Sequence, residues 1–117
     1  MSRCRHCQPV PEEVRQAAVL LEGRWTVSIL WASYEGALRF NEFKQAVGEI
    51  PPRTLALRLV ELEEAGVLER RVVDARPPRV EYTLTPEGRR LQAVVDALVR
   101  FAGGVAAVEE RTAAFPT

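Results

Sequence analysis

The chain is poor in the residues that usually do chemistry. Its 117 residues include one histidine, two cysteines, one methionine and one lysine. The histidine, His6, lies among residues 1–11, a stretch that reads as a flexible tail and also holds both cysteines. A Ser/His/Asp set therefore has no histidine inside the packed part of the chain. No glycine-rich phosphate loop follows a strand. The carboxylates Glu61, Glu63 and Glu64 fall on an exposed helix face, as a solvated surface does. These absences argue against an enzyme. Cys4, His6 and Cys7 offer three soft ligands where a structural zinc site takes four, spaced in pairs, so neither metal nor cofactor is expected. Long apolar runs are missing too. Ala17 to Leu21 is far too short to span a bilayer, and Met1-Ser-Arg-Cys-Arg leads into no apolar signal region. A cytoplasmic protein is expected. Charge of one sign is also absent, with 16 basic and 16 acidic residues, which counts against a strongly basic nucleic-acid binder.

The distribution of charge says more than the sum. Residues 23–60 carry five basic and three acidic side chains, residues 61–66 carry three Glu, and residues 67–90 carry six Arg against four acids. Every basic residue except Lys44 is Arg. Arginine suits bidentate phosphate and guanine contacts, although base composition of the gene produces the same bias.

The organising stretch is Ile50 to Gly66. Pro51 and Pro52 open a helix, as their fixed φ allows, and Gly66 closes it as a left-handed C′ residue. Leu55, Leu59 and Leu62 recur on one stripe. Arg53, Thr54, Leu57 and Glu61 fall on the far side, with Arg58 at the edge. Upstream, Glu12 to Glu22 reads as a helix with Val14, Ala17, Ala18 and Leu21 on its apolar face. Gly23-Arg24 breaks it. Trp25 to Tyr34 is apolar nearly all round and reads as the central core helix. Ala37 to Phe40 reads as an extended link, Asn41 as the cap of a third helix, Glu42 to Val47, and Gly48 as its stop. Two short helices joined so tightly form a helix-turn-helix unit.

After Gly66 the period changes from 3.6 to 2. Val67 to Asp74 and Arg79 to Leu84 read as strands, joined by a tip at Ala75-Arg76-Pro77-Pro78. A hairpin in that place is a wing. Thr85 then caps a last helix with Pro86 at its first position. Leu91, Val94, Leu98, Phe101, Val105 and Val108 form a heptad seam along it. A small domain already has its core, so this seam, with Val14, reads as a homodimer interface; folding back on its own domain is the alternative. Gly103-Gly104 is expected to kink or end the helix. The fold class is thus mainly α with a small β-hairpin wing: a winged helix-turn-helix with terminal helices for dimerisation. A single domain is expected over 12–112, with residues 113–117 a disordered tail.

The sequence resembles the HxlR-type family of bacterial winged-helix transcription regulators over roughly residues 14–101. Four stretches carry the likeness: Leu21-Glu-Gly-Arg-Trp-Thr-Val-Ser-Ile-Leu30, Leu38-Arg-Phe-Asn-Glu-Phe-Lys44, Ile50 through Leu68, and Pro77-Pro-Arg-Val-Glu-Tyr-Thr-Leu-Thr-Pro-Glu-Gly88. The resemblance implies a homodimer joined through its terminal helices on a pseudo-palindromic operator, repressing or activating. Three positions depart from the family pattern. Pro51 stands where many members have Ser, and Ala56 and Leu57 where many have Thr and a polar residue. Glu12 stands where the family usually has the Cys of Cys-Pro-Val, thirteen residues before Trp25, while Cys7 lies five residues further out.

The expected DNA contacts are Arg53 and Thr54, with Leu57 meeting a thymine methyl. Arg58 is expected at a phosphate, or else in an ion pair with a nearby Glu. Arg76 and Arg79 flank the wing tip, and Arg39 and Lys44 stand beside the helix-turn-helix. For Arg76 and Arg79 the alternative is a solvated charged hairpin; Arg39 and Lys44 would clamp the DNA backbone. Arg3, Arg5 and His6 put positive charge around Cys4 and Cys7, which favours thiolate and a response to oxidants or electrophiles; an inert tail is the bland alternative. Two other functions fit the sequence. One is a winged-helix protein-interaction module, motivated by the zero net charge and Leu57. The other is a regulator sensing a small apolar ligand in a pocket lined by Trp25, Trp31 or Phe101.

Overall fold

The computed structural model describes the backbone of residues 8–112 and the side chains of residues 8–103. Cys4, His6 and Cys7, the expected C-terminal tail and the side chains of Val105 and Val108 lie outside the described residues. Helices α1 (Glu12–Glu22), α2 (Thr26–Tyr34), α3 (Phe40–Val47) and α4 (Pro52–Glu64) lead into strands β1 (Leu68–Val73) and β2 (Arg79–Leu84). Helices α5 (Pro86–Arg90) and α6 (Gln92–Thr112) follow. The strands pair antiparallel from Leu68 opposite Leu84 to Val73 opposite Arg79, leaving the two-proline tip between them. The winged helix-turn-helix is the observed fold.

The core is built around α2, α3 and α4. Ile29 and Leu30 of α2, Phe43 of α3, and Leu55, Leu59 and Leu62 of α4 are all at most 1% exposed. Tyr82 of the wing meets Phe43 edge-on, with ring centroids 6.5 Å apart. The expected stripe on α4 is therefore the inward one. Its C-terminus also closes as expected. Gly66 has φ +78°; its N–H donates to the Glu63 carbonyl, and that of Val67 to the Leu62 carbonyl. This pair of bonds is a Schellman motif, and buried Val67 supplies the apolar contact that accompanies it.

A second junction locks the wing to the last helices. Thr85 caps α5, its hydroxyl oxygen accepting from the Gly88 N–H at 3.0 Å. The same hydroxyl lies against the Gly66 and Val67 carbonyls across the α4–β1 turn. Gly88 sits so close that an added Cβ would lie 2.2 Å from the Val67 carbonyl oxygen. The Tyr34 hydroxyl donates to the Gly88 carbonyl at 2.8 Å, tying α2 to α5. Burial pushes this phenol above its usual pKa and the Asp96 carboxylate adds to the shift, so it stays a donor at neutral pH.

Three local expectations need correction. Helix α2 begins at Thr26, because Trp25 takes a left-handed conformation, φ +78°, in the Gly23-Arg24-Trp25 turn. Helix α3 begins at Phe40, with Arg39 and not Asn41 at its cap. The Glu42 carboxylate reaches back to accept from the Leu38 and Arg39 N–H groups, both at 2.9 Å; two donors met by one carboxylate outweigh a single Asn cap. The last helix is divided at Leu91, and α6 then runs through Gly103-Gly104 to Thr112 without ending there. Two glycines cost about 1 kcal/mol each in a helix interior, and the backbone of α6 stays helical across them.

Candidate nucleic-acid interface

The outward side of α4 is the centre of the site. Pro51 stands at its cap and Pro52 at its first position. The first turn then presents Arg53, which is exposed, and Thr54, which is half-buried. Ala56, Leu57 and Val60 are exposed further along, Leu57 at 52%. The buried stripe explains this placement: with Leu55, Leu59 and Leu62 pinned in the core, a 3.6-residue period turns Arg53 and Leu57 outward. The apolar Leu57 is a surface residue in a position that a core-seeking side chain would leave.

Arg58 is tied into the fold. Its Nη1 pairs with Glu61 at 2.9 Å, its Nε donates to the Arg24 carbonyl at 2.9 Å, and the side chain is 18% exposed. The ion pair with a nearby Glu, the alternative to a phosphate contact, is what the geometry shows. Arg39 lies 3.8 Å from Glu42, and Arg79 pairs with Glu81 at 3.3 Å. Both pairs are solvent-exposed enough to be weak, so either guanidinium remains able to turn to a phosphate. Arg53, Lys44 and Arg76 are in no ion pair among the described residues. Arg76 stands at the exposed wing tip, and Lys44 is half-buried on α3. The expected cations thus come from α3, α4 and the wing.

A cleft of about 400 Å³ opens at the N-terminal end of α4, lined by Arg24, Trp25, Glu49, Pro51, Thr54 and Arg58. The Arg24 guanidinium lies over the Trp25 ring, 4.9 Å from its centroid. Sequence reasoning read Gly23-Arg24 only as a helix break. The signal it passed over was an Arg beside a Trp immediately before the core helix. Of Trp25, Trp31 and Phe101, any of which could line an apolar pocket, Trp25 lines this cleft, while Trp31 is 44% and Phe101 71% exposed.

The expected dimer face divides in two. Val14, Val94, Leu98 and Phe101 are exposed. Leu91 instead packs against the core, next to Val95, which is 1% exposed. The i, i+4 pair Leu91 and Val95 belongs to the domain's own interior, and the seam proper starts at Val94. Helix α1 has no buried residue; Leu20 and Leu21 pack partly on the core while Val14, Ala17 and Val19 stay outside.

Residues 20–110 match the model of the HxlR-like helix-turn-helix family. The chain belongs to this family. YdeP of Bacillus subtilis, described as an HTH-type transcriptional regulator, is 42% identical over 76 residues, 65% of this chain and 59% of YdeP. The chain thus spans about three-fifths of the length of such relatives. YodB of B. subtilis, also an HTH-type transcriptional regulator, is 37% identical over 77% of this HxlR-like chain and 80% of YodB. The reduced form of YodB superposes with a TM-score of 0.71 at 35% identity, covering 80% of this chain and 92% of that one. The reduced redox regulator HypR gives 0.75 at 33% identity, covering 86% and 99%. No described helix of this HxlR-like protein is long and apolar enough to cross a membrane.

Proposed function

We propose that the protein is a homodimeric, sequence-specific DNA-binding transcription regulator. The observation that carries this reading is the outward face of α4. It bears Arg53, Thr54 and Leu57 on a helix whose other face is fully buried, within a helix-turn-helix followed by a wing. Two recognition helices enter major grooves about one turn apart, roughly 34 Å. Arg53 and Thr54 address base edges, and Leu57 a thymine methyl. Arg76 and Arg79 of the wing, and Arg39 and Lys44 beside the unit, hold phosphates and set the register. Arg58 braces α4 against the α1–α2 turn. Val14, Val94, Leu98 and Phe101, with Val105 further along α6, join two copies.

The relatives also favour a thiol response. YodB is described in reduced, diamide-treated and quinone-bound forms, and HypR in reduced and oxidised forms. In this chain the role falls to Cys4 and Cys7. An oxidised tail that shifts the terminal helices changes DNA affinity by favouring one dimer geometry over another.

Genome-wide footprinting of the full chain on its own fragmented chromosomal DNA, with and without diamide, tests both parts. Sharp palindromic sites are expected. Their loss under diamide, absent in Cys7→Ser, marks a thiol sensor; sites indifferent to diamide remove the thiol part. No sites under either condition refute DNA regulation and favour a protein-interaction module.

A further inference from the structure

We propose that Arg24 is a DNA-contacting residue, a backbone-phosphate clamp seated beside the recognition helix. The inference rests on the DNA-binding reading above and adds a contact outside the helix-turn-helix and the wing. Three observations carry it. First, Arg24 and Thr54 line one cleft at the N-terminal end of α4. DNA that meets Arg53 and Thr54 must pass its backbone along this cleft. Second, the guanidinium is exposed and is in no ion pair among the described residues. Glu49 is the one carboxylate lining the cleft, against the guanidiniums of Arg24 and Arg58.

Third, Arg24 is held in place. Its carbonyl accepts from Arg58 Nε at 2.9 Å. The Thr26 N–H donates to the Gly23 carbonyl at 3.1 Å, closing the turn around Arg24. Trp25 is fixed in a left-handed conformation, and its indole forms a platform 4.9 Å beneath the guanidinium. A free Arg side chain loses rotamer entropy when it binds; one already stacked loses less. A planar guanidinium held by its face still presents its N–H edge, the edge that bonds phosphate oxygens. The positive end of the α4 dipole adds favourable potential at the same spot; Pro51 and Pro52 carry no N–H, so the backbone donors there begin at Arg53. A phosphate here orients the helix and carries no sequence information of its own.

The test uses the full chain and duplexes bearing the footprinted sites, with anisotropy titrations across a salt series. Arg24→Ala is expected to weaken binding about tenfold or more, equally for site and unrelated duplex. The log–log salt slope should fall by about 0.9 per Arg24, or about 1.8 for a symmetric dimer. Arg24→Lys should keep most of the slope. The Arg58 bond goes to the main chain of residue 24, so neither change removes it; thermal melting checks that both variants fold. Unchanged affinity and slope in Arg24→Ala refute the clamp while leaving DNA binding intact. Weaker binding with an unchanged slope, or a loss confined to the cognate site, also refutes it. If the unaltered chain binds no duplex at all, the clamp and the DNA reading fall together.

Discussion

Helices α4 and α6 carry nearly the same sequence pattern and use it in opposite ways. In α4 the leucines at 55, 59 and 62 are fully buried. In α6 the residues at 94, 98 and 101 repeat the 4, 3 spacing, yet Val94 and Leu98 are each 43% exposed and Phe101 71%. Periodicity says that a helix has an apolar side; it does not say what that side meets. What differs is the space available. The interior between α2, α3 and β1 is closed by α4, and Leu91 and Val95 complete it at the start of α6. The rest of α6 is left with an apolar seam and no interior of its own to fill. Exposed Val14 on α1 extends the same problem to the other end of the chain.

The comparison breaks if the two stripes respond alike. Leu59→Ala removes a fully buried side chain from α4, and about 2–5 kcal/mol of stability should go with it, read by chemical or thermal unfolding. Gly88→Ala strikes the junction that separates the interior from the seam. With a Cβ only 2.2 Å from the Val67 carbonyl oxygen, the wing and α5 must part, at about 1–3 kcal/mol. A fully tolerated Gly88→Ala would mean that the junction does not fix α6. Phe101→Glu strikes the seam. It should raise the dimer dissociation constant at least tenfold, about 1.4 kcal/mol, with the near-UV spectrum of each protomer unchanged. Sedimentation across a concentration series reads this. A variant that unfolds as Leu59→Ala does would place Phe101 in an interior and remove the contrast between the helices.

The same contrast explains what the sequence made legible. The α4 stripe, its proline start, its glycine end and the two-proline wing tip are local signals, each set by the chain's own dihedrals and period, and each was readable. The start of α3 was not. Asn41 is a good cap by residue type, but Glu42, reaching back to two N–H groups, placed the boundary two residues earlier. Trp25 in a left-handed turn was not readable either, since no propensity assigns that conformation to Trp. Arg58 illustrates the site-level limit: an edge position on a helix fits a phosphate contact and an i, i+3 ion pair with Glu61 equally, and only the fold brings the Arg24 carbonyl that holds it in the second. For Arg24 only the adjacent Trp25 was a local signal; Glu49, Pro51, Thr54 and Arg58, which share its cleft, are remote in sequence. The thiols at Cys4 and Cys7 are carried by the sequence alone.

A last prediction sharpens the comparison at its mildest point, the capped start of α3. Helix α3 brings Phe43 under α4, so the order of its first turn supports the buried stripe and leaves the α6 seam untouched. Hydrogen bonds from the Arg39 and Leu38 N–H groups hold the Glu42 carboxyl below its ordinary pKa of 4.5, and Arg39 adds its charge. A carboxylate with a depressed folded pKa contributes stability that is present above the unfolded value and lost as pH falls through the folded one. The protein should therefore lose part of its stability as pH drops from about 5 through the region below 4.5. Glu42→Gln should flatten that part of the curve, and it should be the less stable protein at pH 7. The dimer dissociation constant should follow neither change when measured over the same range under folded conditions. Equal acid sensitivity in Glu42→Gln would assign the loss to other carboxylates and leave the reach-back cap without an energetic role. A dimer constant that tracked Glu42 would couple α3 to the seam and dissolve the division between the inward and outward helices.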